Sequence, residues 1–193
     1  MAVFLWSKEM WLYIKWFLLG LLSVPMAVFA KAICWILPFF VEEETKRLPV
    51  SLDWFMTPDT DADGDLAHWK RHPGTDWWST YKRWTAWFWR NSAYGFDRQV
   101  LGVEVYGADT MTAVGVIDAG RRPFKPGSCM RKLYSEDGKF KAWFWYFCVA
   151  WPFGLFKSKC IRGSFGWKLW CKEEDGHGIA QWTGMCNPFF SRE

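Results

Sequence analysis

Histidine is scarce in this chain: three in 193 residues, His68, His72 and His177. None of them stands in a nucleophile, metalloprotease or phosphate-loop frame. No C-x-x-C occurs and no histidine lies at zinc-finger spacing from a cysteine, so structural zinc is not expected. Serine and threonine are present without a base at fixed spacing, which leaves hydrolytic triads without support. A dense Lys/Arg stripe is also missing, and with it the electrostatic footprint of a nucleic-acid binder. Acid is nearly absent from residues 1–41, where Glu9 stands alone. The chain therefore reads as a non-enzymatic protein with no expected cofactor except calcium, considered below.

What the N-terminus holds instead is apolar mass. From Met10 to Ala30 the only charge is Lys15, and after Lys31 the chain resumes as AICWILPFFV. A helix needs about 20 apolar residues, at about 1.5 Å each, to cross a hydrocarbon core. Residues 1–41 are thus expected to be a membrane anchor, and the lipid bilayer the first partner. With Pro25 and Pro38 as bend points, the segment reads either as one tilted spanning helix with an interfacial extension or as a shallow helical hairpin. Val28-Phe29-Ala30 ahead of Lys31 has the form of a signal-peptide cleavage site, but the apolar region is longer and more aromatic than a signal core, which favours an uncleaved anchor.

Seventeen tryptophans and 21% aromatic residues coexist with 23% charged residues. Tryptophan and tyrosine join an apolar body to a polar edge, which suits either a protein core or a headgroup layer. The net charge of +4 hides a polarity: residues 1–41 carry +2, 42–76 carry −5, 77–97 carry +2 and 98–193 carry +5. An acidic connector over 42–76, broken by Pro49, Pro58 and Pro73, is expected between the anchor and one domain over 77–193. A basic domain beside a membrane is drawn to anionic headgroups.

Within the connector, Asp59, Asp61, Asp63 and Gly64 reproduce the first half of a calcium loop, with oxygen ligands at alternate positions and Gly for the turn. Lys70 occupies the position of the closing bidentate Glu, so a supporting carboxylate would have to come from Asp65 or Asp76. A solvated acidic turn accounts for the same residues.

Residues 76–91 predict a helix, with Trp77, Tyr81, Trp84 and Phe88 at i, i+4, i+7 and i+11 and its start supplied by Thr75, Trp78 or Ser79. Lys82, Arg83 and Arg90 are interleaved with Trp78, Trp87 and Trp89. That composition fits an amphipathic helix in a membrane interface, and equally a helix covering a sheet; a helix with protein on one side and lipid on the other satisfies both.

From Gln99 short runs predict strands at 100–106, 111–117, 129–134, 140–151, 155–161, 165–171 and 179–186, separated by turns at 135–138, 152–154, 162–164 and 173–178. Short links force antiparallel neighbours, giving a meander sheet or small barrel. The fold class is α+β. A hairpin centred on Gly154 would set Cys148 opposite Cys160, and one between His177 and Gly178 would set Cys171 near Cys186. Each pair is a candidate disulfide in an oxidising compartment and otherwise a pair of buried thiols. With Cys34 in the anchor and Cys129 in the domain, the six cysteines allow at most two disulfides in the domain plus a free thiol.

WFMTPD (54–59) with DGD (63–65), WFWRNSAYGF (87–96), GWKLW (166–170) and NPFF (187–190) appear in order. In these strings the chain resembles an uncharacterised family of small proteins encoded by tailed bacteriophages of Gram-negative hosts. The resemblance spans roughly 50–190; it implies a phage origin, an infected bacterium as setting, and no mechanism. Asp59, Asp63 and Asp65 match its pattern, and Asp61 is not required by it. The resulting expectation is an accessory protein at the host inner membrane that binds lipid or a phage or host envelope protein, oligomerising or not. A virion component with a membrane-interacting segment is the second expectation, and a metal-assisted hydrolase using Asp59 to Asp65 the third.

Overall fold

The long apolar sequence makes one long helix, α1 (Ala2–Ile33), which runs through Pro25 without ending. The computed structural model describes residues 2–119, 124–169 and 178–192. No return helix follows α1: a turn leads into a single 3-10 turn at Leu37–Phe40, with Pro38 inside it and Leu37 and Pro38 buried. The hairpin expectation is therefore replaced by one helix followed by a single 3-10 turn. Proline removes a backbone donor, and ten residues are too few to rebuild a second spanning helix around that loss.

Two compact units divide the chain, Met1–Leu18 with Gly102–Glu193, and Leu19–Leu101. The first is built on an antiparallel sheet. Its strands are β2 (Thr110–Gly115), β3 (Gly127–Tyr134), β4 (Phe140–Ala150), β5 (Lys159–Trp167) and β7 (Trp182–Ser191), in the spatial order β2-β3-β4-β5-β7. β1 (Val103–Val105) and β6 (Gly178–Ala180) form a separate antiparallel pair. The five-stranded sheet is an open meander, with β2 and β7 at its edges, and not a closed barrel. Alternation does the sorting: Cys129, Arg131 and Leu133 of β3 and Ala142, Phe144, Tyr146 and Cys148 of β4 are buried on one face. On the other face Trp143, Phe165 and Trp182 receive Trp16 of α1, at ring separations of 5.3, 6.0 and 5.8 Å. Reciprocal indole bonds fix that contact, Trp16 Nε1 donating to Thr183 O and Trp182 Nε1 to Trp16 O.

One expected turn is a strand interior. Arg162-Gly163-Ser164 lies in the middle of β5, because a Cβ on Gly163 would stand 2.3 Å from the ring of Phe147 across the ladder. The glycine makes room for an aromatic ring and reverses nothing. The β4–β5 register is also shifted from the expected one: Cys148 faces Arg162 and Cys160 faces Ala150. Cys148 and Cys160 are diagonal neighbours and free, with Sγ atoms 3.1 Å apart. Cys186 is free and exposed, and Cys171 lies outside the described residues, as do the expected turn residues 173–177.

The second unit contains the end of α1, α2 (Leu66–Arg71), α3 (Trp77–Arg90) and α4 (Tyr94–Gln99), with a six-residue 3-10 turn at Val50–Phe55. Its core gathers Ala30, Cys34, Leu37, Leu48, Phe55, Met56, Ala62, Trp87, Phe88, Ala93 and Phe96. Residues 42–76, expected as a solvated connector, are folded into this unit. Arg47 is the clasp, donating to Thr60 O and Thr57 O, both at 3.1 Å, and pairing with Asp53. Short polar side chains that satisfy backbone groups let such a segment fold without long helices.

Candidate membrane interface

α3 begins at Asp76, whose carboxylate accepts from Ser79 N at 3.0 Å; this aspartate, and not Thr75, Trp78 or Ser79, is the N-cap. From that start the helix turns three side chains inward: Arg83, Trp87 and Phe88. Trp87 sits under Gly64, whose positive φ of 77° brings the backbone so close that a Cβ there would stand 2.5 Å from the indole. Trp87 also meets the His68 ring at 5.1 Å.

Arg83 is only 3% exposed and fully occupied. Its Nε and Nη2 donate to Asp63 Oδ1 at 3.1 and 3.0 Å, and its Nη1 donates to the carbonyls of Gly74 and His72. The guanidinium stacks 3.7 Å above the Trp69 ring. Trp84 Nε1 donates to the same Asp63 oxygen at 2.7 Å. Arg83 and Trp87 are thereby withdrawn from the expected headgroup-facing set, since a side chain enclosed by its own fold has no face for lipid.

Trp84 is half-buried against Asp63, and the other members of that set, Trp77, Trp78, Lys82, Trp89 and Arg90, face outward. Trp77, Trp78 and Trp89 are 68%, 54% and 56% exposed. Lys82 lies over Trp78, and Lys31 of α1 lies over Trp89. Arg90 is exposed, pairs with Asp65 at 3.2 Å and overlies the edge of the Trp87 site. Trp77, Trp78 and Tyr81 stack with planes within 8–24° of one another, and Tyr81 donates to Trp35 O. Beside this stack opens a cleft of about 490 Å³ lined by Phe39, Lys46, Asp63, Trp77, Tyr81 and Trp84 among others.

Three of the four aspartates of the calcium-loop pattern have separate tasks. Asp61 accepts from Asp63 N, Asp63 holds Arg83 and Trp84, and Asp65 caps α2 through His68 N at 2.7 Å while pairing with Arg90. Asp59 joins none of these groups. Among the described residues no group of three or more His, Cys, Asp or Glu side chains converges to hold a metal. Asp65 is burdened by its partial burial, yet its bonds from His68 N and the Arg90 charge outweigh that and lower its pKa. His68 and His72 share a helical turn as their spacing allows, rings 4.8 Å apart. His68 is buried and its Nε2 donates to Arg83 O at 2.9 Å, so it serves structure. Burial lowers its pKa below the usual value, with His72, Arg90 and Arg71 adding to the effect and the bond to Arg83 O opposing it.

Sequence reasoning did not find the Asp63–Arg83–His68 arrangement, which joins residues 15 to 20 positions apart. The one local signal was the aspartate before Leu66, an N-cap pattern that marks α2.

Helix α1 carries a second exposed apolar surface. Glu9–Ile33 is long and apolar enough to cross a membrane, and little of it is buried. Met10, Trp11, Phe17, Leu21, Leu22, Val24 and Val28 are all more than half exposed. No curated protein and no protein of solved structure matches the chain. A family model does, over nearly the whole length: across residues 8–193 the chain belongs to a family of unknown function, DUF7338.

Proposed function

We propose that this chain is a phage-encoded, membrane-anchored accessory protein that acts at the envelope of an infected bacterium, at the inner membrane, by binding the lipid surface or an envelope protein, without catalysing a reaction. The observation that carries the reading is the apolar surface that α1 leaves exposed from Met10 to Val28. Each fully buried Leu, Val or Phe side chain contributes about 1.5–3 kcal/mol, so transferring this stretch to hydrocarbon outweighs by far the cost of Lys15, whose ammonium can reach the headgroups. Trp77, Trp78 and Trp89, with Lys82 and Arg90, give α3 an outward face of the composition found at headgroup depth. The ordered motifs support the phage setting.

The test has two parts. The full chain, expressed in a bacterial host, should stay with the membrane pellet through alkaline carbonate, and a soluble or carbonate-extracted chain would refute the anchor. A pull-down from infected-cell membranes in mild detergent, read by mass spectrometry, should then return an envelope protein.

A further inference from the structure

The turn between β4 and β5 is built in a way that a solvent-facing hairpin does not require. Phe153 is 98% exposed, and Leu155 and Phe156 are 52% and 54% exposed. Phe153 and Phe156 both adopt positive φ, 57° and 48°, a region in which aromatic side chains are disfavoured and where turns ordinarily place Gly, Asn or Asp. The backbone is thus held in an unfavourable conformation while it displays apolar rings. Those rings rest on a firm base: Trp151, Phe156 and Phe189 contact one another at 5.3, 5.8 and 5.5 Å, and Trp151 Nε1 donates to Pro188 O at 2.7 Å.

The strands that carry this tip hold charge of one sign, and Asp118, at the same end of the sheet, is paired with Lys125. No Asp or Glu occurs between Asp137 and Glu173, nor from Gly178 to Arg192, so β4, β5, their turn and β7 contain no carboxylate side chain. Lys157 and Lys159 follow the rings on the β5 side, and among the described residues neither forms an ion pair.

We infer that the β4–β5 hairpin is a second membrane contact, inserting Phe153, Leu155 and Phe156 into an anionic lipid leaflet with Lys157 and Lys159 at the phosphates. An apolar turn followed by two lysines, on strands without acid, matches an anionic bilayer surface, apolar below and negative above. The contact would lie on the sheet-bearing unit and not on α3. It extends the proposed function, on which it rests for the presence of a bilayer.

The full chain tests it in proteoliposomes of phosphatidylethanolamine and phosphatidylglycerol. In a background with Cys171→Ser and Cys186→Ser, Phe153→Cys is labelled with an environment-sensitive nitrobenzoxadiazole probe, and Ser135→Cys on the β3–β4 turn serves as control. Lipid-borne doxyl groups should quench the probe at 153 and leave that at 135 unchanged. Replacing Lys157 by Glu should lower the inserted fraction at least about fivefold relative to the free tip, and added salt should act in the same direction. An unquenched probe at 153 on a chain that remains carbonate-resistant would overturn the tip and leave the anchor standing. A blue-shifted probe that lipid quenchers do not reach would place the tip on protein and also overturn it. Carbonate extraction of the chain would refute the anchor instead, and quenching at 153 would still decide the tip.

Discussion

A guanidinium that is 3% exposed is held in place here by one carboxylate and two carbonyls, and the carboxylate is shared with an indole. Charge buried in this way stabilises only while its partner remains. Asp63→Asn keeps an acceptor oxygen and removes the charge, so the cost is that of an uncompensated buried cation, about 3 kcal/mol at the lower end of the usual range because Asp63 is itself partly exposed. Thermal melting should fall by about 6–12 °C in a protein of this size, and by the same amount with calcium or with chelator present. Calcium-dependent melting of the unsubstituted protein would instead mean that these aspartates bind metal. His68 gives a second test. Burial lowers its pKa below 6.5, so between the folded value and 6.5 the unfolded chain binds more protons than the folded one. The stability due to neutral His68 is complete above pH 6.5 and is lost as pH falls from there through the folded pKa. His68→Gln should flatten that part of a pH–stability curve from denaturant titration; an unchanged slope would assign the acid sensitivity to other groups.

At the scale of elements, α3 shows where sequence patterns suffice and where they stop. Its length and aromatic density were legible from spacing alone, and so were the sites of β2, β3 and β4, since hydrophobic periodicity reports directly on backbone type. Which tryptophans point inward was not legible. The stripe Trp77, Tyr81, Trp84 and Phe88 suggested one face, but the face is set by what α3 meets, and Gly64 and His68 admit Trp87 while Asp63 draws in Arg83. Likewise Arg-Gly-Ser in β5 has the composition of a turn, and only the ring of Phe147 explains its glycine. The two classes of α3 tryptophan should separate on substitution. Trp87→Ala removes a buried indole and should cost about 3–5 kcal/mol. Trp89→Ala, at a site 56% exposed, should stay within about 0.5 kcal/mol of the parent protein. Equal losses in chemical denaturation would mean that the outward face of α3 is covered by protein.

For the whole molecule, the open question is whether α1 is apolar because it supports the fold or because it meets lipid. Its N-terminal half does support the fold, through Trp16 on the sheet, a contact no spacing in the sequence announces because it joins residues 166 and 167 positions apart. The side chains that leave most surface uncovered lie elsewhere on the helix, Leu21 and Leu22 among them at 59% and 55% exposure. These two positions separate the explanations. An arginine near the centre of a membrane helix costs about 2.5–3.5 kcal/mol on insertion scales, so Leu21→Arg with Leu22→Arg should oppose insertion by about 5–7 kcal/mol. The same pair in water should change folding stability little, because exposed positions away from caps and pairs stay within about 0.5 kcal/mol each. The double variant should therefore move from the membrane pellet to the soluble fraction while its near-ultraviolet circular dichroism, dominated by packed tryptophan, remains that of the parent in detergent. Retention in the pellet after carbonate, with the spectrum unchanged, would show that this stretch of α1 does not lie in hydrocarbon. Loss of the tryptophan signature would show that Leu21 and Leu22 are packed against protein, and that the apolar surface of α1 serves the fold.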